Sequence, residues 1–379
     1  MKILYLVIIG IGVFACKGED EKNTNNSELK EKATTLLLKD YRPESIYKTE
    51  KTIVDKARFP VIDFHSHEYP ENEEEIRKWV TRMDQLGVDK TVLLTGRTGA
   101  DFDSVVQVYS QFDSRFILFC GFDYTGYEEP NFGPNAVKEL VRCFKAGAKG
   151  VGELGDKGWG EVYSLPVEAK GMHIDDPRMQ PLLAKCGELG MPVSIHVADP
   201  IWMYAKMDST NDGLMNAHKW RLDNKGAILN HGQMMKTLTN AVAAHPSTTF
   251  IACHLANCSY DLSLLGAMFD TYPNLYADNA AQYAETAAIP RTSARFFEKY
   301  ADRIVYGTDM GVEKEMYKTT FRILETRDEH FYDREISGYH WAMHGFGLKS
   351  SVLEKIYRTN AIQLLGLGKG TPMPENSHR

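Results

Sequence analysis

The sequence predicts a (β/α)8 barrel, a TIM barrel of the α/β class, with an insertion after strand five and a carboxyl-terminal helical extension. Three observations predict it. From about residue 57, short apolar runs alternate with longer amphipathic segments. The short runs are near-continuously apolar, as strands buried on both faces are. Metal-capable side chains recur at the carboxyl end of several runs. An open doubly wound sheet is the competing architecture, but no GxGxxG follows the first run.

Each element has its own signal. Phe59 to Phe64 reads as strand one. Glu71 to Leu86 reads as a helix with Ile76, Trp79, Val80, Met83 and Leu86 on one face, stopped by Gly87. Val88 to Leu94 is strand two, followed by a helix near Phe102 to Phe112. Phe116 to Phe119 is strand three. Asn135 to Ala146 is helical up to Gly147, and Ala148 to Leu154 is strand four. Asp176-Pro177 starts a helix that ends at Gly190, before strand five at Val193 to Val197. Then come a helix over Met234 to Ala244, strand six over Thr249 to Cys253, and a helix over Leu262 to Phe269. Leu275 to Ala277 is strand seven. Thr292 to Tyr300 is helical, Ile304 to Tyr306 is strand eight, and Ser350 to Leu365 is the last helix.

Outside the barrel, expected over 51–370, the ends read differently. Met1-Lys2 precedes an apolar run, Ile3 to Ala15, that is too short to span a bilayer. It has the layout of an export signal, and Val13-Phe14-Ala15-Cys16 resembles a bacterial lipobox. The expectation is a signal segment over 1–16, lipid-anchored to a membrane through Cys16. A flexible tether over 17–50 and a disordered tail over 371–379 complete the division. The location would then be the cell envelope. The cysteines after Cys16 are scattered and odd in number, so they read as small buried hydrophobes rather than a disulfide framework. A net charge of -7 with no basic block speaks against a nucleic-acid partner and for a small-molecule substrate. A homo-oligomer stays open.

Strand one ends in His65-Ser66-His67, strand four in Glu153, strand five in His196, strand six in His254 and strand eight in Asp309. In a barrel, chemistry sits at these ends. Residues two apart on an extended chain point the same way, so His65 and His67 can approach one ion together. Imidazole and carboxylate suit a divalent metal: zinc first, with manganese, iron or nickel as alternatives, as one ion or two. Asp309 could ligate and take a proton from water that the ion activates, His254 could polarise the substrate or ligate, and Glu153 could bridge two ions. Trp202, Tyr204, Trp220 and Arg221 fall in the insertion and Asp278 ends strand seven. All five are expected substrate contacts, with Arg221 suited to a carboxylate. His340, Trp341 and His344 are expected at the rim.

The segments VIDFHSH, IHVAD, HLAN, YPNLYAD, RIVYGTD and RTNAIQLLGL, spread over 57–367, resemble the amidohydrolase superfamily in its amidohydrolase-2 branch. The resemblance implies that His65, His67, His196 and Asp309 are metal ligands and that Asp309 is also the general base. It implies that His254 serves catalysis in one-metal members and ligates in two-metal members. VGELGD around Glu153 locally resembles the strand-four pattern of TatD-like deoxyribonucleases, whereas many amidohydrolase-2 members have one metal and no strand-four ligand, in which case Glu153 would accept from a histidine N–H. The main expectation is a hydrolase using metal-activated water on a lactone, ester or amide. A metal-dependent decarboxylase of an aromatic or unsaturated acid is the alternative. A ligand-binding lipoprotein without turnover would predict a gap in the ligand set, and the sequence has none.

Overall fold

The computed structural model describes residues 35–37, 40–70, 72–158, 161–163, 168–333 and 341–367. The chain divides into two units, 1–43 and 44–379, and the second carries the fold. Its parallel strands run in chain order around one sheet: β1 (Val61–Ser66), β2 (Val88–Leu94), β3 (Phe116–Cys120), β4 (Gly150–Asp156), β5 (Val193–Val197), β6 (Phe250–Ala252), β7 (Leu275–Asp278) and β8 (Ile304–Val305). The ring closes where Phe64 N–H donates to Tyr306 O at 2.8 Å and Asp309 N–H donates to His65 O at 2.8 Å. The expected barrel is therefore the observed one.

The helices lie where the apolar periodicity puts them. α1 (Glu73–Leu86) buries Ile76, Trp79, Met83 and Leu86; Asn72 caps it by accepting from Glu75 N–H, and Gly87 ends it in the left-handed conformation. α2 (Gly99–Tyr109), α3 (Phe132–Lys145), α4 (Gln180–Leu189), α5 (His231–Ala244), α6 (Leu262–Thr271) and α7 (Pro290–Lys299) follow in turn, and α8 (Lys314–Glu325) comes after β8. α8 was not expected, nor was the antiparallel hairpin Glu161–Tyr163 and Glu168–Lys170 that extends β4.

Two apolar layers hold the barrel. The outer layer joins strands to helices. The inner one contains Ile62, Phe64, Val92, Leu94, Ile117, Phe119, Ile251, Cys253, Val305 and Ala361. Ala361 belongs to the last helical stretch, which runs through Ser350–Glu354, Lys355–Thr359 and Asn360–Leu365. Asn360 Nδ2 donates to Ala301 O and Ile304 O, so this extension closes the end where strands begin and leaves the other end to chemistry. Cys120, Cys143, Cys186, Cys253 and Cys258 are all buried and unbridged.

The expected signal segment, membrane anchor at Cys16 and envelope location are corrected here. No helix among the described residues is long and apolar enough to cross a membrane. That reading rested on the layout of Ile3 to Ala15 and on Val13-Phe14-Ala15-Cys16, and no observation among the described residues supports an anchor or a membrane association. Cys16 itself, most of the tether and the tail 371–379 lie outside the described residues.

Candidate active site and metal centre

Local backbone choices bring the strand-end side chains together. The β1–β2 register shifts between Asp63 and Ser66, where His65 stands. Asp63, fully buried, anchors this corner by accepting from Thr308 N–H at 3.1 Å, Thr308 Oγ1 at 2.7 Å, Tyr317 Oη at 2.8 Å and His65 N–H at 3.2 Å. Burial outweighs those bonds and pushes its carboxyl up to about 6. After β6 the chain makes a left-handed turn, with φ of 58° at His254 and 53° at Asn257. Asn257 Nδ2 holds that turn by donating to Ala198 O at 3.1 Å. Asp309 is also left-handed, at φ 66°, a conformation aspartate tolerates better than most residues.

The imidazoles are fixed from behind. His65 Nδ1 meets Asp278 Oδ2 at 2.9 Å, His67 Nδ1 meets Leu94 O at 2.9 Å, and His254 Nδ1 meets Ala280 O at 3.0 Å. Carbonyls and carboxylates only accept, so each Nδ1 carries the hydrogen and each Nε2 turns inward. Inside, His67 Nε2 lies 3.1 Å from Asp309 Oδ1 and 3.7 Å from Glu153 Oε2. His254 Nε2 and His196 Nδ1 lie 3.2 Å and 3.0 Å from Glu153 Oε1. His65 Nε2, completely buried, has no hydrogen-bond partner; Asp309 Oδ1 is 3.5 Å away and Glu153 Oε1 3.8 Å.

Electrostatics follow from this packing. Burial alone would lower His67 and His254. The Asp309 hydrogen bond and the Glu153 charge instead raise His67 to about 9, and the Glu153 hydrogen bond and charge raise His254 to about 10. Burial would raise Asp309, but the His67 bond and the His65 charge bring it down to about 2. Glu153 is held well below the carboxylate range by His65, His196 and His254 against its burial.

This chemistry fits a cation. The ligating atoms of His65, His67 and Glu153 lie within 4.8 Å of one another, as do those of His65, His254 and Asp278 and those of Glu153, His196 and His254. The buried Nε2 of His65, which has no hydrogen-bond partner, is an unsatisfied nitrogen of the kind a metal can engage. The chain thus has a divalent-metal-binding site.

The expected substrate contacts scatter. Asp278 is fully buried behind His65 and also accepts from His254 N–H at 2.9 Å. Tyr204 stands near the cluster, its Oη accepting from Asp199 N–H at 3.3 Å. Arg221 pairs bidentately with Asp223, at 2.7 Å for each bond, and Trp220 is 67% exposed. Trp202 packs on Gly213 of its own loop, where a Cβ would come within 2.3 Å of its ring. Trp341 and His344 donate to Ala284 O and Ala287 O on the short helix Tyr283–Ala288. His340 lies outside the described residues. Asp63, Asp199 and Lys157 were not expected. Asp63 carried a usable signal, a charge inside an apolar run two residues before His65.

The comparisons agree with the geometry. Residues 62–367 match the family model described as amidohydrolase. No curated protein sequence matches the chain. Among solved structures, a 2,6-dihydroxybenzoate decarboxylase from Rhizobium is similar at 16% identity and TM-score 0.51, covering 82% of this chain and 99% of its own. A dihydroxybenzoic acid decarboxylase from Polaromonas sp. JS666, with bound manganese and the inhibitor 2-nitroresorcinol, is similar at 15% identity and TM-score 0.53, covering 82% of this chain and 98% of its own. At such identity the likeness is one of fold. With its closed barrel, its metal-capable strand ends and a family match over most of its length, the chain belongs to the amidohydrolase family, in the amidohydrolase-2 branch, and is a metal-binding enzyme.

Proposed function

We propose that the chain removes the carboxylate of a small aromatic or unsaturated acid as carbon dioxide, with one divalent ion held by His65, His67, His196 and Asp309. Zinc or manganese suits this nitrogen-and-oxygen set. When bound, the ion draws electron density from the substrate's oxygens and so stabilises the charge left as the carbon–carbon bond breaks. The observation that carries the reading is His254. Its Nδ1–H is committed to Ala280 O, its Nε2 points at Glu153, and in the metal-free protein the Glu153 hydrogen bond and charge raise it to about 10. His254 therefore enters the reaction as an acid, able to protonate the carbon that carbon dioxide leaves. Glu153 keeps that imidazolium aimed inward. The decarboxylases that share the fold support this chemistry over hydrolysis.

Hydrolysis of a lactone, ester or amide is the second reading, and one observation favours it. Glu153 reaches both halves of the cluster, with Oε1 on His196 and His254 and Oε2 3.7 Å from His67. That reach suits two ions and a shared water.

The test is turnover of hydroxybenzoates and unsaturated dicarboxylates by the metal-loaded protein in deuterated water. Decarboxylation predicts carbon dioxide release and one deuterium at the vacated carbon. His254→Ala should slow it by about 10²- to 10⁴-fold, the range for a lost general acid. Release of an alcohol or amine from esters and amides, without carbon dioxide from any acid, would replace this reading with the second.

A further inference from the structure

Three of the four histidines in the cluster turn Nε2 inward, and the fourth is reversed. His196 presents Nδ1 to Glu153 Oε1 at 3.0 Å, while its Nε2 faces outward to Asp199 Oδ1 at 3.2 Å. Asp199 is 7% exposed. It stands two residues beyond β5, after Ala198 in the left-handed conformation, and its own N–H is bonded to Tyr204 Oη at 3.3 Å. Lys157 Nζ lies 3.3 Å from the same Oδ1 that faces His196.

We infer that Asp199 is a positioning residue that commits His196 to the tautomer with hydrogen on Nε2, leaving the Nδ1 lone pair for the metal, and that Lys157 holds Asp199 in place for this task. The inference rests on the metal reading proposed above. Each ring nitrogen of His196 has a carboxylate beside it, so the ring alone does not say which side is the metal's. Lys157 does. An ammonium already sits on the Asp199 side, and a second cation bound through Nε2 would be placed against it at short range. On the inner side, Glu153 Oε1 gathers His196 and His254, with His65 Nε2 3.8 Å away and lacking a hydrogen-bond partner. The cation belongs there, and Asp199 takes the outer N–H, as outer carboxylates do for metal-bound histidines.

Two neighbouring features make the arrangement rigid. Lys157 follows Asp156, which is fully buried and accepts from Ile174 N–H at 3.0 Å and Gly158 N–H at 3.2 Å. Gly158 has φ 89°, and a Cβ there would meet Leu229 O at 3.1 Å, so the turn that carries Lys157 is closely packed.

The test uses the full chain, stripped of metal and titrated with cobalt(II), following both affinity and the visible absorption of the bound ion. Asp199→Ala should weaken cobalt binding roughly ten- to a hundredfold and shift the absorption, because His196 is no longer held in the ligating tautomer. Asp199→Asn keeps an oxygen that can accept from Nε2–H, so it should restore most of the affinity and the wild-type spectrum. Thermal melting of the metal-free variants checks that each is folded. Wild-type affinity and spectrum in a folded Asp199→Ala protein would overturn this inference and leave the metal reading standing. Failure of the wild-type chain to bind cobalt at all would overturn both. A spectrum lost equally in the Ala and Asn variants would also overturn it, since the hydrogen bond would not be what matters.

Discussion

At the scale of single residues, the site is a set of charges that hold one another in place until a cation arrives. His67 and His254 have folded-state values raised to about 9 and about 10. For a histidine so raised, the contribution to stability is fully present below its ordinary value near 6.5 and is lost as pH rises through the raised value. The metal-free protein should therefore lose melting temperature between about pH 7 and pH 10. An ion held by His67 must also displace its proton, while His254 keeps its own, so at pH 7 metal binding should release about one proton, measurable by calorimetry in buffers of different ionisation enthalpy. A melting temperature flat over that range, with no proton release, would mean that these imidazoles are not paired with Asp309 and Glu153. The histidines of the cluster were legible in the sequence because each is a polar break at the end of an apolar run. Their supports were not. Leu94 O and Ala280 O act through backbone, which no side-chain pattern announces, and the pairing of Arg221 with Asp223 was not read from the pattern either.

At the scale of elements, the strand order carries the site, and glycine sets how closely strands approach. Gly307, just beyond β8, has no room for a side chain: a Cβ there would lie 2.7 Å from His65 Cβ and 3.1 Å from Ala280 Cβ. Gly307→Ala should cost about 1–3 kcal/mol of stability and weaken metal binding by displacing His65, as read by denaturant unfolding and metal titration. Most elements were legible because buried parallel strands are short apolar runs and helices end at glycines such as Gly87 and Gly190. The hairpin after β4 was not, since three-residue strands are too short to show a period. α8 did carry a period, with Met316, Tyr317, Thr320, Phe321 and Leu324 buried, but it opens without a side-chain cap to mark its start. The turn at His254–Asn257 was illegible for another reason. Left-handed backbone ordinarily signals glycine, and here His254, Leu255, Ala256 and Asn257 adopt it with none.

At the scale of the whole molecule, the barrel divides its labour between two ends. The carboxyl-terminal helices close the end where strands begin, and the opposite end gathers His65, His67, Glu153, His196, His254 and Asp309 from five strands far apart in sequence. That convergence of residues so distant in sequence makes the fold itself the source of the ligand set. The most direct measurement is an anomalous difference map from a crystal of the manganese-loaded protein. The expected result is a peak about 2.0–2.3 Å from His65 Nε2 and His67 Nε2, with Asp309 and His196 Nδ1 completing the contacts. No peak inside this cluster, or one held only by surface carboxylates elsewhere, would contradict it.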